Sequence, residues 1–275
     1  MDLGAAKTAA GTTVSVCLPA RDEAATIGPI VREVRDALLR PGFVDEIVVV
    51  DDASHDDTAA VARAAGATVV AEASVLADAG PGAGKGNVLW KSLHACRGDI
   101  VCWLDADLRN FDHSYVTRLV APLLTDPGVV LVKGAYERSF EGAPTGGGRV
   151  TELVARPVLA LLFPKLADIV QPLAGEYAGR RSALEALPFV QGWGVEIGLL
   201  IDVFERYGRE AIAQADLGTR EHRNRPLDEL SPQAKEVLAV ALQRAGLLEI
   251  EPPYDELVRE RPPIVTMAAY RESRR

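Results

Sequence analysis

The sequence predicts an α/β fold: a mostly parallel sheet flanked by helices. Two patterns carry that prediction. Apolar, strand-like runs alternate with stretches of helical spacing along residues 14–107, which argues a parallel sheet covered on both faces. Polar clusters then follow the first, second and fourth runs, at the carboxyl ends where open parallel sheets bind ligands.

Each element has a local reason. Val14 to Leu18 is an apolar strand, PARDEAATIG is the loop behind it, and IVREVRDALL carries apolar residues at helical spacing. EIVVVDD at 46–52 is the second strand, and Ser54 is placed to cap a helix that ends near Gly66. ATVVA at 67–71 is the third strand. A glycine-rich stretch leads to a helix over 87–96, and DIVCWLDAD at 99–107 is the fourth strand. Beyond it the pattern is less regular. Residues 128–140 suggest a further strand, EGAPTGGGR a flexible loop, and VTELVARPVLALLFPKLADIV a helical stretch interrupted by prolines. Amphipathic helices are expected over 194–207 and 231–247, and an extended tail from Glu249 with Pro252, Pro253, Pro262 and Pro263.

Composition limits what such a fold does. With 275 residues, 48% of them hydrophobic and 25% charged, the chain is long enough to bury a sizeable core and is not a disordered or coiled-coil sequence. A formal net charge of -9 argues against a general nucleic-acid binder, so any phosphate site must be local. No apolar run approaches the roughly 20 residues of a membrane span, and the first residues lack the apolar core of a signal peptide; a cytoplasmic location is expected. Cys17, Cys96 and Cys102 lack the paired short spacings of a zinc site and read as buried thiols.

The chemistry gathers at strand ends. In WLDADL, Asp105 and Asp107 stand at alternate positions after a strand, so both carboxylates share one side and suit a hard divalent cation. Lys85 in PGAGKGN sits on a loop entering a helix and is a candidate phosphate contact; an exposed, solvated lysine is the alternative. The segment lacks the GxxxxGK[ST] pattern of a triphosphate loop. In GGGRVTEL, glycine amides, the Arg149 guanidinium and the Thr151 hydroxyl make a cradle for phosphate or carboxylate, or else a surface loop. In TREHRNR, alternation puts Arg220, His222 and Asn224 on one side of an extended segment; His222 is either a metal ligand or a lone histidine.

These motifs, with PLAGEYAGRR, GWGVEIG and REHRN in this order, resemble the GT-A-fold retaining glycosyltransferases that make glucosyl-3-phosphoglycerate or its mannosyl counterpart, from about Val14 to Gly246. The resemblance implies a single Rossmann-like GT-A domain over 1–275: a nucleotide-sugar half at 12–110, an acceptor half at 111–248 and the tail at 249–275. It implies that Pro19, Ala20, Arg21, Glu23 and Asp52 line the nucleotide site with Lys85, Asp105 and Ala106, and that Asp107 and His222 hold Mg²⁺ or Mn²⁺. Gly148, Arg149, Thr151, Arg220 and Asn224 are then the acceptor site for 3-phosphoglycerate, and Glu196 holds donor sugar hydroxyls. Asp107, Lys85, Glu196 and the Leu173 carbonyl form the implied catalytic set, and a homodimer the implied assembly. One departure stands out: Asp22 occupies a position where such enzymes commonly show asparagine, which brings a further negative charge near the nucleotide and bears on base preference.

The activity implied is transfer of glucose from a nucleotide-diphosphate glucose, UDP-glucose first, to the 2-hydroxyl of 3-phosphoglycerate with retention of configuration. GDP-mannose as donor, a nucleotidyltransferase, and a non-catalytic sugar-nucleotide sensor are the alternatives. The second lacks a GxGxR-type loop after the first strand, and intact DAD, Lys85 and His222 argue against the third.

Overall fold

The computed structural model describes residues 3–140, 143–146, 148–220, 227–249, 251 and 254–274. Helix α1 (Leu3–Ala10) leads into the first three strands, β1 (Val14–Ala20), β2 (Glu46–Asp51) and β3 (Thr68–Ala71), which alternate with α2 (Ile27–Val34) and α3 (Thr58–Ala65). After α4 (Gly84–Ala95) come β4 (Ile100–Trp103), α5 (Ser114–Thr125), β5 (Leu131–Phe140) and β6 (Ala143–Gly146). A π-turn at Thr151–Ala155 runs into α6 (Arg156–Leu162), followed by β7 (Tyr177–Arg180), α7 (Arg181–Leu184), β8 (Phe189–Val190) and α8 (Val195–Tyr207). The chain closes with β9 (Ile212–Arg220), α9 (Leu227–Arg244), β10 (Glu260–Arg261) and α10 (Ala268–Ser273).

Eight strands form one sheet in the order β3-β2-β1-β4-β7-β5-β6, with β9 beside β5. The β1–β2, β2–β3 and β1–β4 pairs are parallel, as the alternation requires, and so is β5–β9. β7 is inserted antiparallel between β4 and β5, which joins the two halves of the chain in one continuous sheet.

Strand geometry sorts the core into two layers, because successive side chains point to opposite faces. Cys17, Val48, Val50, Val101 and Trp103 pack on one face against Trp90 and Leu93 of α4, Leu200 of α8 and Val240 of α9. Val16, Leu18, Ile47, Val49, Ile100 and Cys102 face the other way, onto Ile30 and Val31 of α2, Ala62 of α3 and Leu119 of α5. At the edge away from the strand carboxyl ends, arginines meet helix C-termini, where the carbonyls are unsatisfied and the dipole is negative. Arg180 Nη2 donates to Leu123 O at 2.7 Å, Arg181 Nη1 to Cys96 O at 3.0 Å and Arg274 Nη2 to Leu93 O at 2.6 Å.

The structure departs from the sequence reading in four places. Helix α4 starts at Gly84, ahead of the expected 87–96, so Lys85 lies in its first turn and not on a loop before it. Ser54 does not cap α3; its Oγ accepts from Asp22 N at 3.0 Å, and Asp56 Oδ1 takes the Thr58 N–H at 2.9 Å instead. Part of the glycine-rich stretch after β5 is strand, since β6 pairs with β5. The tail is not extended: it forms a 3₁₀ turn at Asp255–Val258, strand β10 against β8, a second turn at Ile264–Thr266 and α10. Pro262 and Pro263 stand between β10 and the second turn, where a missing N–H is harmless. Among the described residues no helix is long and apolar enough to cross a membrane.

Candidate active site

Strand register builds the site. Ala20 pairs with Asp51, and Leu104 N donates to Cys17 O at 3.0 Å, so β1, β2 and β4 end side by side and release Arg21 to Glu23, Asp52, and Asp105 to Asp107 at one edge. A cavity of about 430 Å³ opens there, within the usual size of small-molecule sites. Pro19, Ala20, Arg21, Glu23, Asp52, Lys85, Asp105, Ala106 and Asp107 all line it. Gly84, Val88 and Trp193 line it too, although none is singled out by the sequence reading. The signal for Trp193 was its place in GWGVEIG, three residues before Glu196; Glu236 fixes it by accepting its backbone N–H at 2.6 Å.

Lys85 is the electrostatic centre. Its Nζ donates to Asp105 Oδ1 at 2.8 Å and lies 2.8 Å from Glu196 Oε1, in the first turn of α8. Burial alone drives the ammonium towards the neutral form; Asp105 and Glu196 more than reverse this, so it titrates well above an ordinary lysine. It is therefore a fixed cation, suited to stabilising an anion and unsuited to moving protons.

Behind it lies a second buried lysine. Lys133 Nζ donates to Ala174 O at 2.7 Å and sits 4.3 Å from the centre of the Tyr177 ring. Burial pushes its pKa down to about 8, against the pull of Glu196. The turn it holds, PLAGE, packs directly on the acidic motif: a Cβ on Gly175 would stand 2.2 Å from Asp105 Oδ1, so only glycine fits. Leu173 lies two residues before Gly175 in this turn and does not line the cavity.

The carboxylates around the cavity crowd one another. Burial raises the pKa of Glu23, and the nearby charges of Asp107 and Asp105 raise it further. Burial also raises that of Asp52, although Arg21 at 3.5 Å opposes it. Hard oxygen donors in surroundings that disfavour their own charge fit a divalent cation such as Mg²⁺ or Mn²⁺. Among the described residues, the group of three ligand atoms lying close together is Glu33, Asp112 and His113, none of which lines the cavity. Asp112 there accepts the Ser114 N–H at the start of α5.

Asp22 does not line the cavity. Its φ of 57° lies in the left-handed region that aspartate and asparagine tolerate best. Its carboxylate turns to the next loop, accepting from His55 N at 2.6 Å and facing His55 Nδ1 at 3.3 Å. Those contacts hold its pKa below the usual aspartate value.

The acceptor residues are less complete. Gly148, Arg149 and Thr151 open the helical segment before α6, where Glu152 N donates to Gly148 O at 3.0 Å and Thr151 is buried; they do not line the cavity. Arg220 ends β9, paired with Arg138 of β5. The Arg220 side chain and all of His222 and Asn224 lie outside the described residues.

Paired acids and a fixed ammonium at the carboxyl edge of a Rossmann-like sheet make a site for a phosphate-bearing ligand with a divalent cation, and comparison with known proteins gives the class as a glycosyltransferase. The chain belongs to glycosyl transferase family 2, whose model matches residues 15–186. It is 51% identical over 250 residues to glucosyl-3-phosphoglycerate synthase of Mycolicibacterium smegmatis, spanning 90% of this chain and 81% of that protein. It is 42% identical over 286 residues to the enzyme of the same name from Petrotoga mobilis, with 94% and 88% covered. The crystal structure of glucosyl-3-phosphoglycerate synthase from Mycobacterium tuberculosis with Mn²⁺, UDP-glucose and phosphoglyceric acid matches with a TM-score of 0.87 at 48% identity, covering 96% of this chain and 93% of that one. The same enzyme with Mg²⁺ and UDP matches with a TM-score of 0.86 at 47% identity, covering 96% and 94%.

Proposed function

We propose that this chain transfers glucose from UDP-glucose to the 2-hydroxyl of 3-phosphoglycerate, with retention of configuration, releasing UDP and glucosyl-3-phosphoglycerate. The observation that carries this reading is the placement of Lys85 between Asp105 and Glu196 in a cavity walled by Glu23, Asp52 and Asp107. Relatives of that name and the solved complexes with UDP-glucose and phosphoglyceric acid support the choice of substrates.

Asp107 and His222 would hold the divalent cation, which supplies neutralising charge to the donor's diphosphate. Lys85 adds a fixed positive charge where the leaving diphosphate gains negative charge, an effect typically worth about 10² to 10³ in rate. Glu196 is ion-paired and buried, so it serves as an oriented acceptor for sugar hydroxyls rather than as a free nucleophile. That favours attack from the leaving-group face. The Leu173 carbonyl, in the turn that Lys133 holds, orients the acceptor hydroxyl, and its proton passes to the departing phosphate oxygen. Arg149, Arg220, Thr151, Asn224 and the Gly148 amide receive the acceptor's carboxylate and phosphate. We place the enzyme in the cytoplasm, since Cys17, Cys96 and Cys102 are all free thiols.

The test is a turnover screen with Mg²⁺ present: UDP-glucose, GDP-glucose and GDP-mannose, each against 3-phosphoglycerate and glycerate, read as released nucleoside diphosphate. Turnover with UDP-glucose and 3-phosphoglycerate and little with glycerate is expected. Preference for GDP-mannose, or equal rates with glycerate, would overturn the donor or the acceptor assignment respectively.

A further inference from the structure

We propose that Arg261, in the C-terminal strap, is a positioning residue that acts through Lys85; this rests on the role given to Lys85 above. Arg261 does not line the cavity and is only 7% exposed. Strand β10 lays it against Phe189 of β8, and Lys85 stands in the first turn of α4, just after the glycine-rich loop.

One guanidinium ties the glycine-rich loop before α4 to the first turn of that helix. Its Nη1 accepts nothing and donates to Ala79 O at 2.7 Å, its Nη2 to Gly80 O at 2.9 Å, and its Nε to Asn87 Oδ1 at 2.8 Å. Lys85 lies between those anchors. The guanidinium carbon Cζ sits 5.3 Å from the centre of the Trp90 ring, and Trp90 Nε1 donates back to the strap at Pro262 O, 2.7 Å away. Asn87 is held from its other side, its Nδ2 donating to Glu72 Oε1 at 2.5 Å, and Glu72 is ion-paired with buried Lys91 at 2.8 Å. The loop lies flat on this network: a Cβ on Gly82 would meet Asn87 Oδ1 at 2.0 Å and Arg261 Nη2 at 2.4 Å.

Gly80 and Gly82 lie in the loop before α4 and Gly84 opens the helix, so their conformational freedom must be removed before its first turn, and Lys85 with it, is held in one place. A misplacement of about 1 Å in a catalytic group can cost about 10² in rate. Only arginine offers three donors in a rigid plane, so lysine is not an equivalent here.

The experiment is a double-mutant cycle on the full chain, R261Q with K85M, measuring kcat and KM for both substrates alongside hydrogen exchange of residues 79–87. R261Q is chosen because it keeps a donor towards the loop carbonyls; R261A is the harsher companion. Arg261 acting through Lys85 requires R261Q to lower kcat about tenfold or more in the wild-type background and less than threefold in K85M, with faster exchange confined to the loop. Methylguanidinium added to R261A should restore part of kcat. Losses that multiply in the double variant, or unchanged kcat and exchange in R261Q, overturn the proposal; a variant that unfolds in both forms makes Arg261 a residue of stability alone and also overturns it. Absence of wild-type turnover with UDP-glucose and 3-phosphoglycerate would instead sink the reading of function, and loop exchange would still report on Arg261.

Discussion

Replacing Lys85 with methionine keeps the unbranched stem and deletes the charge. Two carboxylate oxygens lie 2.8 Å from Nζ, one on Asp105 and one on Glu196, and Glu196 has only 5% of its side chain exposed. At an effective dielectric of about 20, each contact is worth about 6 kcal/mol of gross Coulomb energy, most of it offset by desolvation. What the variant feels is the stranded charge, because water cannot reach Glu196 to replace the ammonium. Removing one partner of a buried pair costs about 3 to 5 kcal/mol. Turnover should fall by about 10² to 10³ even for the folded fraction, since the leaving diphosphate loses an oriented cation. Urea melts, with UDP release measured on the folded protein, supply both numbers. Stability within 1 kcal/mol of wild type and turnover within about tenfold would refute the reasoning, because no electrostatic centre of this kind is lost so cheaply.

Other outcomes follow from the same geometry. Lys133 is held at about 8 when folded, against 10.5 for a free side chain, so between those values the unfolded chain binds a proton that the native state does not. Wild-type stability should therefore rise relative to K133M by about 2 kcal/mol from pH 7.5 to 9.5, measured by urea melts, whereas a flat difference would mean that Lys133 is hydrated. All three cysteines are buried, and burial raises the Cys102 thiol far above the usual range, so a thiol reagent should label none in the native protein and three after denaturation. Chelation with EDTA should abolish turnover and added Mg²⁺ or Mn²⁺ restore it, and D107N should need a higher metal concentration for half-maximal rate. Turnover unaffected by EDTA would remove the cation from the mechanism.

Much of the cavity was legible because its residues sit next in sequence to the strands that carry them. Arg21, Glu23, Asp52 and Asp105 to Asp107 follow apolar runs directly, and parallel pairing brings those ends together whatever the loops do. What local pattern cannot encode is which side chains meet across the fold. Lys85 and Asp105 are twenty positions apart, and Arg261 reaches Asn87 across 174. The tail illustrates the same limit: four prolines suggest an extended chain, yet Arg261 alone finds three acceptors in the core and fixes strand β10. Asp22 shows the converse, a local sequence departure whose carboxylate is turned to the His55 backbone through a left-handed turn that composition gives no sign of.

Whether glucose passes to the acceptor on the face from which UDP departs is read by NMR of the product formed from UDP-[¹³C]glucose and 3-phosphoglycerate. Same-face transfer at the strand-end site gives a single α-linked glucosyl-3-phosphoglycerate, equal in amount to the UDP released and absent with D107A. A β-linked product, or UDP release accompanied only by free glucose, would contradict it.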